Sequence, residues 1–290
     1  MKISSSIMCW NESKTIDLAL KSLVGFADEV MVTDTGSIDG TQKLAEEWMQ
    51  ILDLSGEVRT IKPKGGDDLM NVRLAAWMAC SGDWVLMHDA QLVLSNALKD
   101  EMKHHAKNYG KYSLDVKSLN LMGDYEHFFS NRQFMAYHRI FSQRNHEYEF
   151  AYKTRPHFIG AHRPATHHAF NLSRVRPAWR SWYRGEPFDR RSYKTGQKVG
   201  AGNYNRQYQW LKTSEDQSLI EHTERTEGLS LEDVREIAPS WYLRQLQTEA
   251  TPLPPSLRST LAEVLKKELE NPRYKLEKSN GEIYGRWPEL

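Results

Sequence analysis

Three short clusters of acidic and amide residues have the chemistry to hold a polar ligand. They are Asn11-Glu12, the run Asp34-Thr35-Gly36-Ser37-Ile38-Asp39-Gly40-Thr41, and His88-Asp89-Ala90-Gln91. Asp34 closes the apolar run Val30-Met31-Val32-Thr33, which predicts a buried strand, and an acidic, Gly-containing turn follows it. Ser37, Asp39 and Thr41 are each able to cap the amphipathic segment that starts at Gln42. A carboxylate at such a strand end accepts hydrogen bonds from a base or a sugar hydroxyl. A capped turn with no ligand explains the same residues equally well. Further on, His157, His162, His167 and His168 fall within twelve positions. Neutral imidazoles ligate metals; hydrogen-bonded core or surface histidines are the plainer alternative.

The elements that must position these groups follow from pattern. Strands are predicted at residues 2–10, 28–33, 57–62 and 84–87, and helices at 16–25, 42–52 and 69–80. Ile16, Leu20, Leu23 and Val24 share one helical face, as do Leu69, Val72, Ala76 and Ala79 or Cys80. Strands and helices alternating at this spacing imply parallel βαβ units. Right-handed crossovers then bring all the strand carboxyl ends to one edge, where open α/β sheets bind ligands. That edge collects all three clusters. A helix at 95–108 follows, with Leu98 and Met102 inward and His104-His105 on a solvated surface. Strands are expected at 111–121 and 137–143.

With 290 residues, the chain makes one large domain or two small ones. A hydrophobic fraction of 39%, a charged fraction of 27% and a net charge of +1 describe a folded globular protein with no global field for nucleic acid or membrane. Cys9 and Cys80 lie in apolar segments without metal-ligand spacing and read as buried thiols in a reducing, cytoplasmic setting. No run reaches the ~18–20 apolar residues of a membrane span.

Taken together, Asn11-Glu12, the Asp-x-Gly-Ser-x-Asp-Gly-Thr turn from Asp34 to Thr41, Arg73 and Gly82-Asp83-Trp84 occur in an order and spacing that resemble the nucleotide-sugar-binding half of a family 2 glycosyltransferase of GT-A type. The resemblance is full over residues 3–91 and thinner to about 195. It implies a Rossmann-like, mostly parallel sheet flanked by helices, a UDP-sugar or similar donor, and a divalent cation, Mn2+ or Mg2+. By the same resemblance Asp34 contacts the base, with Asn11 or Glu12 nearby. Arg73 meets the base or diphosphate, and Asp68 matches an acidic position of the preceding loop. Asp39 falls either to the base or ribose or to helix capping.

The family's metal-bearing Asp-x-Asp reads Asp89-Ala90-Gln91 here. Asp89 keeps the first carboxylate, and Gln91 offers an amide oxygen without charge. His88 either assists or packs. The resemblance also implies a late histidine in the metal shell, for which His167 or His168 is expected, with His157 second. Strand alternation lets only one of the adjacent pair face the site. Phe158 stands where the family carries a Glu after its late His, so the usual general base is absent. Asp124, Glu147 and Glu149 are the remaining candidates for an inverting transfer; a retaining transfer needs none.

Residues 174–212 carry ten basic residues against Glu186 and Asp189, interleaved with Trp and Tyr. Such a stretch, from Arg174 to Lys212, can clamp a diphosphate, stack on sugars or bind a nucleic-acid acceptor. Beyond it the chain turns acidic and helical in pattern at 214–227 and 229–236. A helix capped by Ser256 is expected at 257–269, with a loosely packed terminus after 271. The expected organisation is a GT-A domain at 1–212, divided into a nucleotide-sugar half (1–95) and an acceptor and metal half (96–212), and a helical extension at 213–290. The expected activity is hexosyl or pentosyl transfer to a saccharide or to a hydroxylated base in DNA. The alternative is an inactive GT-A-like binder of nucleotide sugar or nucleic acid.

Overall fold

The computed structural model describes residues 1–37, 39–63, 69–110, 112–121, 124–129, 138–142, 147–152, 155–159, 161–172, 175, 250–272, 275–279 and 282–286. Two compact units divide the chain. One comprises Met1–Asn120, Arg132–Leu172 and Pro255–Lys266; the other comprises Leu121–Asn131, Ser173–Pro254 and Lys267–Leu290. The expected boundary at 212/213 lies outside the described residues, as do the predicted helices at 214–227 and 229–236.

The first unit is built on alternating strands and helices: β1 (Ile3–Cys9), α1 (Ile16–Leu23), β2 (Glu29–Asp34), α2 (Thr41–Ile51), β3 (Gly56–Thr60), α3 (Leu69–Met78) and β4 (Trp84–Asp89). There follow β5 (Leu92–Leu94), α4 (Asn96–Asn108), β6 (Ser113–Asn120), β8 (His138–Ser142) and β11 (His162–Asn171). These strands form an eight-stranded sheet of order β3-β2-β1-β4-β8-β6-β11-β5. Strands β3, β2, β1 and β4 are mutually parallel, as are β6 and β11. β8 runs antiparallel between β4 and β6, and β5 pairs antiparallel at the edge. A separate hairpin joins β9 (Glu147–Tyr152) to β10 (Arg155–Ile159).

Period-two alternation sorts the core onto two faces. Val30 and Val32 of β2 and Trp84 and Leu86 of β4 pack with Ile16, Leu20, Leu23, Ala45, Met49, Leu98 and Met102 of α1, α2 and α4. Met31, Val85 and Met87 face the other way and pack with Trp77 and Cys80 at the α3 side and with Phe141. The Trp77 and Phe141 rings meet edge to face at 5.4 Å. A helix–sheet–helix sandwich results.

The central strand β1 carries three successive serines, all buried, and two of them hold its neighbours. The Ser4 hydroxyl donates to Glu29 of β2 and accepts from the Gly82 N–H, and the Ser5 hydroxyl meets His88 Nδ1 of β4 at 3.3 Å. Buried hydroxyls paired in this way avoid the cost of an unsatisfied group.

Several expectations are corrected. α1 stops at Leu23, so Val24 is exposed rather than inward. His105 is buried, not solvated: it sits one turn beyond Met102, donates from Nε2 to the Tyr112 carbonyl at 2.7 Å, and meets the Trp84 ring edge-on. Ser256 is not the cap of the late helix. That helix, α5 (Pro255–Glu270), has Pro254 at its cap and Pro255 at its first turn, where a missing N–H costs nothing.

In the second unit β7 (His127–Phe129) pairs with β12 (Ala250–Pro252). Within the expected terminus after 271, β13 (Lys275–Ser279) and β14 (Glu282–Arg286) form a hairpin. Among the described residues no helix is long and apolar enough to cross a membrane.

Candidate active site

The carboxyl ends of β1, β2 and β4 lie side by side, and the turns that leave β1 and β2 are clamped together. The Asn11 N–H donates to Ser37 Oγ at 2.8 Å, the Glu12 N–H to Thr41 Oγ1 at 2.8 Å, and the Ser13 N–H to Asp39 Oδ2 at 3.0 Å. Asn11 takes the left-handed backbone conformation, φ 51°, which Asn tolerates better than most residues. Three side chains of the second turn thus hold three consecutive N–H groups of the first.

Asp34 is 1% exposed. Its Oδ1 accepts the N–H groups of Gly36 and Ser37, the latter at 2.6 Å, while Oδ2 stands 3.3 Å from the Ser37 nitrogen. The carboxylate closes its own turn in the manner of an Asx motif. Gly36 follows at φ 106°, which favours glycine. Asp39 accepts from the Thr41 N–H and hydroxyl as well as from Ser13. Burial alone would raise its pKa; these hydrogen bonds outweigh burial and lower it. The cap position of α2 belongs to left-handed Gly40, not to Ser37, Asp39 or Thr41, whose side chains are committed to the clamp.

At β4 the alternation separates two neighbours. His88 points into the core: it is fully buried, with Nε2 donating to the Leu92 carbonyl at 2.9 Å and Nδ1 toward Ser5. Its role is packing. Asp89 lies on the α3 side, where Arg73 stands one helical turn before Trp77. The Arg73 guanidinium is 3.7 Å from Asp89 Oδ1, and the two side chains are 19% and 24% exposed. Gln91 follows two residues later, its carbonyl accepting from the Leu172 N–H.

The late histidines are divided by β11. His167 faces α4, with Nδ1 2.9 Å from Glu101 Oε2, and the Thr166 and His167 N–H groups donate to the same carboxylate. His168 is in register with Lys117 of β6, on the opposite face; burial first, then Lys117, lowers its pKa. His162 pairs with Asp115 at 3.6 Å. His157 stands in register with Glu149 across the β9–β10 hairpin; the side chains of both lie outside the described residues, as does Asp68. Asp124, in the second unit, accepts the Glu126 and His127 N–H groups at 2.8 Å, with Oδ2 2.8 Å from His127 Nδ1.

At the β4 end of this edge Asp89 offers a carboxylate to a divalent cation, and Gln91 follows it two residues on in the sequence. Among the described residues no group of three or more His, Cys, Asp or Glu is placed to hold one. A single carboxylate is compatible with the way Mg2+ is commonly held, where substrate phosphates and water complete the shell. Ile61 extends β3 by donating to the Asp34 carbonyl at 2.9 Å, and the Lys62 side chain that follows lies along Gly36.

A doubly covered, mostly parallel sheet with a polar, acidic carboxyl edge is the GT-A architecture. A family model described as glycosyl transferase family 2 matches residues 4–182, more than half of the sequence, and the chain belongs to that family. An uncharacterized glycosyltransferase of Rickettsia bellii (strain RML369-C) is 36% identical over 103 residues, covering 36% of this chain and 32% of its own length. A second, from Rickettsia conorii (strain ATCC VR-613 / Malish 7), is 34% identical over 120 residues, or 40% of this chain and 39% of its own. The chain therefore spans under half the length of these curated relatives. Among solved structures, glucosyl-3-phosphoglycerate synthase from Mycobacterium tuberculosis, in complex with Mg2+ and uridine diphosphate, is 25% identical. It covers 41% of this chain and 43% of that one, with a TM-score of 0.30.

Proposed function

We propose that the chain transfers a sugar from a nucleotide-activated donor to an acceptor hydroxyl, with the donor lying along the carboxyl edge of β2, β1 and β4. The observation that carries this reading is the Arg73–Asp89 pair at the end of β4, on the edge that also holds the clamped turns. Asp34 and Asp89 are two strand spacings apart, roughly 10 Å, which suits a nucleoside at one end and its diphosphate at the other. Asn11, Glu12, Asp34 and Asp39 shape the nucleoside end. Arg73 supplies a fixed positive charge where the leaving diphosphate gathers negative charge.

Asp89 and Gln91 are the residues that would hold Mn2+ or Mg2+, with His157, His167 or His168 as further ligands; a cation held there would supply countercharge to the leaving diphosphate. An inverting transfer needs a base for the acceptor proton, and Asp124 and Glu149 are its candidates. The acceptor is read as a saccharide first. A hydroxylated DNA base remains a distinct arm of the test because of the basic stretch at 174–212, which lies outside the described residues except for Val175.

The test is acceptor-dependent transfer: radiolabelled UDP- and GDP-sugars, Mn2+, and saccharide or hydroxymethylated DNA acceptors. Label moving onto one acceptor class names the reaction. Tight nucleotide binding without transfer to any acceptor, or hydrolysis of any donor, points instead to an inactive binder. The substitution of Gln91 for the second Asp and of Phe158 for the Glu is what favours that second reading.

A further inference from the structure

We infer that Lys62 is a donor-positioning residue, its ammonium group binding an oxygen of the nucleotide; this rests on the transferase reading above. Beyond β3 the chain stays in register with β2 as far as Ile61, whose N–H donates to the Asp34 carbonyl at 2.9 Å. Lys62 therefore leaves the sheet at the carboxyl edge, beside the turn that Asp34 closes. Its stem is laid along Gly36: Cγ, Cε and Cδ lie 3.4, 3.6 and 3.7 Å from where a Gly36 Cβ would stand. The stem thus lies along the turn while the residue as a whole stays exposed. No carboxylate pairs with it among the described residues.

The neighbours explain why a ligand contact falls to this residue. Asp34 is buried and spends Oδ1 on two backbone N–H groups, and Asp39 is spent on Ser13 and Thr41. What either carboxylate can offer a ligand is an acceptor oxygen, never a donor or a positive charge. Arg73, at the β4 end of the edge, already faces Asp89. A nucleoside diphosphate brings phosphate oxygens and, in most bases, carbonyl oxygens. Lysine offers three donors and no acceptor, and its point charge suits either kind of oxygen. An edge lined by Glu12, Asp34, Asp39 and Asp89 needs such a countercharge to admit an anionic donor.

The experiment is isothermal titration of the 290-residue chain with UDP, GDP, uridine and guanosine. It compares wild type, Lys62→Met and the control Lys43→Met. Methionine keeps an unbranched stem over Gly36 and removes the ammonium group, its charge and its three donors together. Lys43 is an exposed residue of α2, so its variant reports the effect of net charge alone. The expected result is about a tenfold or greater rise in Kd for Lys62→Met, none for Lys43→Met, recovery in Lys62→Arg, and an unchanged melting temperature. A loss shared by nucleoside and diphosphate puts the ammonium on the base or ribose; a loss confined to the diphosphate puts it on phosphate. Equal Kd values for wild type and Lys62→Met overturn the inference while leaving the transferase reading intact. A wild-type chain that binds neither nucleotide overturns both.

Discussion

Arg73 of α3 and Asp89 at the end of β4 face each other across 3.7 Å, both partly buried. Two periodicities bring them together. Arg73 precedes Trp77 by four residues and so shares its face of α3, while Asp89 follows Val85 and Met87 on alternate positions of β4. Trp77, Val85 and Met87 pack in one cluster, so the hydrophobic contact fixes the register of the charged pair. The pair is an extension of the core, and its geometry is set by packing rather than by a loop.

Removing either partner takes away the opposite charge that the other faces. Asp89→Asn is expected to lower kcat/KM by about 10²-fold or more, in the range seen when one charge-stabilising group is lost. Arg73→Gln is expected to weaken nucleoside diphosphate binding. The double variant should fall short of the sum of the two effects, because contacting residues couple. Steady-state kinetics on the four proteins measures that coupling; strict additivity would show that the two act separately.

On the proposed reading Asp39 positions the donor through the two clamped turns. Asp39→Asn removes the charge that two N–H groups and the Thr41 hydroxyl engage. A stability loss of ~1–3 kcal/mol is expected. A rise in KM with little change in kcat should accompany it, since the clamp shapes the nucleoside end. Chemical denaturation paired with kinetics checks both, and an unchanged KM would restrict Asp39 to a structural role.

At the opposite edge of the sheet, Glu29 joins β1, β2 and the turn before β4. It accepts from the Ser81 N–H at 2.7 Å and hydroxyl at 2.6 Å, from Lys2 at 3.2 Å, and from Ser4. Burial pushes its pKa up, but these partners outweigh burial and bring it down to about 2 from 4.5. A lowered folded-state pKa means stability that is present above the unfolded value and lost as pH falls through the folded one. The stability gap between wild type and Glu29→Gln should therefore be constant above about pH 5 and close as pH drops from 4.5 toward 2. Denaturant midpoints across that window test it.

Both cysteines are buried, and neither forms a disulfide. Burial, then the charge of Glu29, pushes the Cys80 thiol up to about 12. Burial, followed by Asp34, Glu12 and Asp39, raises Cys9 well above its usual value. Thiolate is the reactive form, so neither should react with a thiol reagent at pH 8 in the folded chain, and both should react in denaturant. Rapid labelling of the native protein would contradict this.

Much of this was legible in the sequence, and for identifiable reasons. The strand–helix alternation through β4 and the inward faces of α1, α3 and α4 were written in the periodicity of Leu20, Val72, Ala76, Leu98 and Met102. So was the common edge of the three polar clusters. What escaped was the direction of individual hydrogen bonds. Nothing local in the sequence shows that Asp34 closes its own turn. Nor does it pair Ser37, Asp39 and Thr41 with N–H groups some 26 to 29 residues away. His105 was misplaced because its histidine type suggested solvent, while its helical phase put it under Trp84. The β13–β14 hairpin was missed because Lys275–Ser279 and Glu282–Arg286 are charged, short and without a clean apolar alternation.

The most direct test of the central claim is release of nucleoside diphosphate from a panel of nucleotide sugars, with and without Mn2+, by wild type and Asp89→Ala. Release from one donor by wild type, strengthened by the metal and abolished in Asp89→Ala, is the predicted result. Release that Asp89→Ala leaves intact, or none from any donor, would contradict the account of this edge as a sugar-transfer site.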